Sequence, residues 1–125
     1  MAKVYLAAPY TERPEQLVIA SAFIDAGHVV TSSWVFGGEE GKTRAEIAYS
    51  DAKDVRSADW LVLRTFHRGT MNTGGGRHFE FGLAYALGKR CVIVGGLEHV
   101  FCHLQDVKQV STYDEALLYI AKCEV

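Results

Sequence analysis

Residues Arg77 to Gly96 read RHFEFGLAYALGKRCVIVGG. From Arg77 to Leu87 the pattern is helical: Glu80, Leu83, Ala84 and Leu87 recur on one face, and Gly88 closes the helix. Arg90 to Val94 then runs apolar at consecutive rather than alternate positions, and Gly95-Gly96 ends it. A strand apolar on both faces belongs to a parallel sheet covered on both sides. The same grammar extends outward in both directions. Lys3 to Ala8 is a buried strand ending at Pro9. A helix follows over Arg13 to Asp25, with Thr11 as its cap, an apolar stripe at Leu17, Ala20, Ser21 and Ile24, and Gly27 as its stop. Val29 to Ser33 is a short β-rich run, followed by the glycine-rich loop Gly37-Gly38-Glu39-Glu40-Gly41. Thr43 to Ser57 is a second helix, and Asp59 to Thr65 a second buried strand. A long polar loop from Phe66 to Gly76 leads back to the opening stretch. A strand at Val107 to Val110 and a helix from Tyr113 to Lys122 finish the chain.

Five strands alternating with four helices predict an α/β fold. It is a small doubly wound, flavodoxin-like or Rossmann-like, parallel sheet with helices on both faces, in the order 2-1-3-4-5. The 125 residues make one domain, 1–125, long enough to bury a core without disulfides. With 49% hydrophobic and 22% charged residues the chain is not disordered. A formal net charge of -2 gives no broad basic face, which argues against a nucleic acid polymer as partner. No apolar run approaches the ~18 residues of a membrane span. The first residues enter a strand directly, without the pattern of a signal peptide. Cys91, Cys102 and Cys123 lack CxxC spacing, and Cys91 sits in an apolar run as a reduced thiol would. These features predict a cytoplasmic protein.

In doubly wound folds ligands bind beyond the carboxyl ends of the strands. That rule selects Ala7 to Thr11, which includes Ala8 and Pro9, and Ser32 to Arg44, which includes Ser33 and Trp34. It also selects Thr65 to Gly76 and Gly95 to Gln105. Two carboxylates near these loops are misplaced for packing alone. Asp51 falls on the inward stripe of the second helix with Ile47, Val55 and Ala58. Glu80 occupies the first turn of the third helix's apolar stripe. A buried carboxylate must be paired, hydrogen-bonded or neutral. Asp51 is therefore either bonded to loop backbone amides or facing a cleft, and Glu80 is either an ordinary helix-start Glu pointing to solvent or a group facing the cleft. Asp59 heads a strand at the opposite end and reads as structural. Thr73-Gly74-Gly75-Gly76-Arg77 can converge backbone N–H groups at a helix start, where anions are favoured, and Arg77 can add a bidentate phosphate contact. Trp34 can stack on a flat base or serve as a core aromatic. Alternation does not fix which face of its strand Tyr5 takes. His99, Cys102 and His103 lack a ligand pattern for a metal.

Together these residues resemble the nucleoside 2-deoxyribosyltransferase superfamily, which includes the 2'-deoxynucleoside 5'-phosphate N-hydrolases. The resemblance is carried by Lys3-Val4-Tyr5-Leu6-Ala7, Ser50-Asp51 and Ser57 to Val62. Its most specific part is the E-x-G-x-A-x-A-x-G-K run from Glu80 to Lys89 after the glycine-rich turn. It implies Glu80 as nucleophile, Asp51 as the catalytic Asp that assists protonation of the leaving base or positions the sugar, and Tyr5 as the hydrogen-bond partner of Glu80. It also implies no metal or organic cofactor, a small-molecule deoxynucleoside or deoxynucleotide substrate, and a homodimer or larger homo-oligomer. In such an assembly Glu98 to His103, by Cys102 or His103, would complete a neighbour's site. The 5'-end contact falls on Thr73, with Gly74 and Gly75. Thr73 is like the hydrolases' Ser, whereas Pro9 and Thr11 replace the Ser and Arg of their first loop. Arg77 decides the matter: reaching the site favours a 5'-monophosphate, and pointing away favours the plain nucleoside. Thr73, the glycine amides and Arg77 together predict acceptance of the monophosphate. Two further readings are a strict monophosphate N-hydrolase and a non-catalytic nucleotide sensor of the same fold. Cytokinin-type phosphoribohydrolases also pair a glycine-rich turn with a Glu, but their Gly-Gly-x-Gly-Thr pattern is absent.

Overall fold

The computed structural model describes residues 1–68 and 75–125. Strands β1 (Lys3–Ala7), β2 (Val29–Val30), β3 (Trp60–Arg64), β4 (Arg90–Val94) and β5 (Lys108–Val110) form one sheet in the order β2-β1-β3-β4-β5. Every pairing is parallel. The central strands are the runs apolar on both faces: Val4 to Ala7, Trp60 to Leu63 and Cys91 to Val94 are all buried. Helices α1 (Arg13–Asp25), α2 (Arg44–Ser57), α3 (Gly76–Ala86) and α4 (Tyr113–Cys123) complete the α/β fold. The Cys91 thiol is buried and pushed up to about 12 by that burial, with Asp106 adding, so it stays protonated. No helix among the described residues is long and apolar enough to cross a membrane.

Strand β2 is shorter than the β-rich run from Val29 to Ser33 predicts, because side chains replace its backbone ladder. The Leu6 N–H donates to the Ser32 hydroxyl at 3.0 Å, and the Trp34 indole N–H donates to the Leu6 carbonyl at 2.9 Å. The Thr31 hydroxyl donates to the Asp54 carbonyl at 2.9 Å. With Leu6 satisfied in this way, the chain turns into a 3₁₀ turn at Ser33–Phe36 and leaves the sheet. The departure opens a crevice beside the carboxyl end of β1.

Helix ends also shift from their expected places. Thr43 is the cap of α2 and not its first residue. Its hydroxyl accepts from the Glu46 N–H at 3.1 Å while Glu46 accepts from the Thr43 N–H at 2.8 Å, a reciprocal capping box. Thr11 does not cap α1; it lies inside a 3₁₀ turn, Tyr10–Glu12, that runs straight into the helix. The buried face of α1 is Gln16, Ala20 and Phe23, while Leu17, Ser21 and Ile24 are exposed. The face is turned because Gln16 has a partner inside: its amide donates to the Tyr113 hydroxyl at 3.0 Å. On α3 the buried residues are Arg77, Phe81 and Ala84, so Glu80 stands at the margin of the core face and Leu87 is exposed. Asp59 ties the amino ends of two strands together, accepting from the Lys3 N–H at 3.1 Å.

At the opposite, carboxyl edge, β3 and β4 end in close contact. Gly95 has φ +132°, and a Cβ there would run into the Thr65 carbonyl. The Thr65 hydroxyl donates to the Gly96 carbonyl at 2.6 Å. This seam fixes where the segment after β4 starts and so where Glu98 sits relative to α3.

Candidate active site

A cleft of about 820 Å³ lies beyond the carboxyl end of β1, between α2 and the start of α3. Ala8, Pro9, Trp34, Asp51, Arg77 and Glu80 border it, with Tyr10, Thr11, Glu39, Arg44 and Gly76 from the loops selected above and Ile47 from the inward stripe of α2. Ala48 and Phe79 also border it and were not selected. Arg44, Ile47, Ala48 and Asp51 share one face of α2 at helical spacing. A reading of that spacing without requiring apolar residues finds the wall.

Tyr5 is wholly buried on β1, and its hydroxyl donates to Glu80 Oε2 at 2.5 Å across 75 positions of sequence. Strand and helix are both rigid, so the bond fixes where the carboxylate points. Burial pushes the Glu80 carboxyl up to about 8, with Asp51 and then Asp54 adding; the Tyr5 hydrogen bond opposes them. Burial, and next the charge of Glu80, raises the Tyr5 phenol above its ordinary value, so it remains a donor. Asp51 is pushed up to about 6, first by burial and then by Glu39 and Asp54, while Lys42 opposes. The cleft thus holds two carboxyl groups that burial raises above their ordinary values, Glu80 further than Asp51.

Arg77 is buried and its charge is matched. Nη1 and Nη2 each donate to Glu98 at 2.7 Å, and Nη1 also donates to the Arg64 carbonyl at 3.0 Å. The pair is nearly enclosed, with 3% of the Arg77 side chain and 9% of Glu98 exposed. Arg77 borders the cleft, but its guanidinium is a clamp on the segment after β4. Its expected role as a free phosphate contact does not match this geometry. Sequence reasoning missed Glu98 as its partner because the two are 21 positions apart on different elements.

Ser33 is exposed and engaged elsewhere: its N–H and hydroxyl both donate to Asp54 Oδ2, at 3.1 and 2.5 Å. The Trp34 ring is pinned by its bond to Leu6, and its centroid lies 6.2 Å from that of Tyr10. Cys102 is buried within its own chain, its sulfur 3.8 Å from His99 Nδ1, while His103 is exposed. Of the two residues named for donation to a neighbour, only His103 presents its side chain to solvent. Gly75 is the N-cap of α3. Thr73 and Gly74 lie outside the described residues. No group of three metal-ligating side chains is found among the described residues.

No protein-family model and no curated protein sequence matches the chain. Solved structures do. A 2-deoxyribosyltransferase from Leishmania mexicana superposes with a TM-score of 0.79 at 14% identity, covering 100% of both chains. The 2-deoxyribosyltransferase of the psychrotolerant bacterium Bacillus psychrosaccharolyticus gives 0.70 at 22% identity, over 93% of this chain and 90% of that one. The CMP N-glycosidase of Clostridium botulinum gives 0.66 at 17% identity, over 96% and 98%. The chain has the nucleoside 2-deoxyribosyltransferase fold. In this deoxyribosyltransferase-like chain the cleft opens at the carboxyl edge of the sheet, where Glu80, Tyr5 and Asp51 converge.

Proposed function

We propose that the chain is an enzyme that breaks the N-glycosidic bond of 2'-deoxyribonucleosides and passes the deoxyribosyl group to a second base or to water. The observation that carries this reading is the Tyr5-held Glu80 carboxyl in a cleft shared with Asp51. Glu80 Oε1 or Oε2 attacks C1' as the base departs through an oxocarbenium-like state, forming a glycosyl ester. Tyr5 holds the attacking group in line, where small misplacements are costly in rate. Asp51 gives a proton to the departing base. A second base or water then attacks C1', giving up its proton to Asp51 as the ester bond to Glu80 breaks and the carboxylate is freed. Bases are accepted as leaving group and acceptor by the same cleft, so transfer and hydrolysis differ only in which molecule arrives second.

The engagement of Arg77 by Glu98 supports the plain nucleoside over the 5'-monophosphate. The described lining carries Glu39, Asp51 and Glu80 against the single unengaged cation Arg44. A phosphate would add its charge to that acidic lining at a cost. The test is chromatography of products from deoxynucleosides and their 5'-monophosphates, with and without an acceptor base. Free base or exchanged nucleoside is expected from the nucleosides, and at a lower rate from the monophosphates. Recovery of every ligand intact would mean a binding protein and refute the reading.

A further inference from the structure

We infer that Glu39 reads the leaving base, and that the site takes bases with an exocyclic amino group, such as cytosine or adenine, ahead of their oxo counterparts. The inference rests on the N-glycosidic reading of the cleft and adds its base selectivity. It follows from where the acids stand along the cleft. Glu80, held by Tyr5 at the inner end, marks the place of C1'. Along α2, Asp51 lies about two turns in, Ile47 and Ala48 about one turn in and Arg44 at the start, with the Glu39 turn just before it; all border the cleft. The cleft wall therefore runs from Asp51 past Ile47 and Ala48 to Arg44 and Glu39. A sugar seated between Glu80 and Asp51 directs its base toward Glu39.

The lining of the cleft suits a flat ring. Trp34, with its indole N–H fixed on the Leu6 carbonyl, borders it, as do Tyr10 and the α2 residues Ile47 and Ala48. The loop that carries Glu39 is built by glycines. Gly37, Gly38 and Gly41 have φ of +91°, +93° and +77°, a region that other residues rarely adopt. A Cβ on Gly37 would also come within 2.9 Å of Arg13 Nη2, whose side chain donates from Nε to the Trp34 carbonyl at 3.3 Å. The Lys42 N–H closes the turn on the Glu39 carbonyl at 3.2 Å. Glu39 is half-buried, and none of the ion pairs among the described residues engages it. Its carboxylate accepts hydrogen bonds only. An amino group on cytosine or adenine offers the donor it needs, whereas the carbonyl at the same position of uracil or hypoxanthine meets it as a second acceptor. Arg44 has the opposite preference, but it is exposed at the start of α2.

Matched pairs test this contact: deoxycytidine against deoxyuridine, and deoxyadenosine against deoxyinosine. In each pair an oxo group replaces the amino group and the neighbouring ring nitrogen gains a proton, so the donor moves off the exocyclic position that Glu39 is inferred to read. The wild type is expected to favour the amino member in kcat/KM by about tenfold or more in the ring size it accepts. Glu39→Gln, which can both donate and accept, should bring that ratio close to one. Glu40→Gln removes the same charge from the neighbouring, exposed position of the loop and should keep the ratio. Calorimetric binding to Glu80→Gln, with and without Glu39→Gln, reads the same preference in Kd without turnover. Equal or reversed preference in the wild type, or a preference that survives Glu39→Gln, would overturn the inference and leave the N-glycosidic reading standing. An amino preference in binding with no base released by the wild type would refute the enzymatic reading and leave Glu39 as the base reader. No binding of any of the four would overturn both.

Discussion

Glu80 carries two consequences that pull in opposite directions. Burial lifts its carboxyl from 4.5 to about 8, so the folded chain holds a proton that the unfolded chain has released. Within that window the folded state binds more protons, and stability falls as pH climbs through it. Glu80→Gln removes the titration. It should lose turnover by several orders of magnitude, yet be more stable than the wild type at pH 8 by an amount on the order of a few kcal/mol. The gain should shrink toward pH 5, which thermal melts across pH will show. A variant with near wild-type turnover would remove Glu80 as nucleophile. Asp51 adds a pH signature. The productive form has Glu80 ionised and Asp51 protonated, whereas their titrations near 8 and 6 run in the reverse order. The pair should give a bell in kcat/KM with limbs near those values, belonging to the pair jointly. Asp51→Asn should slow the reaction, abolish the alkaline limb and move the ascending limb up from near 6 to the Glu80 value, which lies somewhat below 8 because the Asp51 charge no longer opposes ionisation. An alkaline limb that persists in Asp51→Asn would exclude it as the proton donor.

At the scale of elements, the clamp between α3 and the segment after β4 is the feature with the largest expected energetic effect. Arg77→Ala leaves Glu98 enclosed without its cation, a change of about 3–5 kcal/mol in comparable buried pairs. The Arg77→Ala, Glu98→Ala double variant should lose less than the sum of the two singles. Activity should fall alike on nucleosides and monophosphates, because Arg77 positions a segment and does not hold a phosphate. A tenfold rise in KM confined to the monophosphate would restore the phosphate role. The elements also show what a sequence can and cannot convey. The strand order was readable because β1, β3 and β4 are apolar on both faces, which only a covered parallel sheet explains. Glu80 and Asp51 drew notice as acids on apolar stripes, and the structure brings both to one cleft. The face of Tyr5 was not readable, since a strand buried on both sides has no alternation. The early end of β2 and the Arg77–Glu98 pair depend on side chains meeting across the fold, and local patterning carries no trace of them.

The whole molecule presents an apolar surface near the same clamp. In the 3₁₀ turn Val100–His103, Val100 is 72% and Phe101 62% exposed. His99 holds the turn against α3, its Nε2 3.0 Å from His78 Nδ1. We propose that this turn meets a second copy and that the assembly is at least a dimer, with His103 available to the partner's cleft. Sedimentation should show a dimer, and Phe101→Asp should give a monomer with reduced activity. A wild-type monomer with full activity at nanomolar concentration would contradict the shared site. In the proposed reaction the deoxyribosyl group is carried as a covalent ester on Glu80. Acid quenching during turnover of a deoxynucleoside, followed by peptide mass spectrometry, should find a deoxyribosyl adduct on the peptide that contains Glu80, and none in Glu80→Gln. Base release without any adduct, or an adduct on another residue, would rule out Glu80 as the nucleophile.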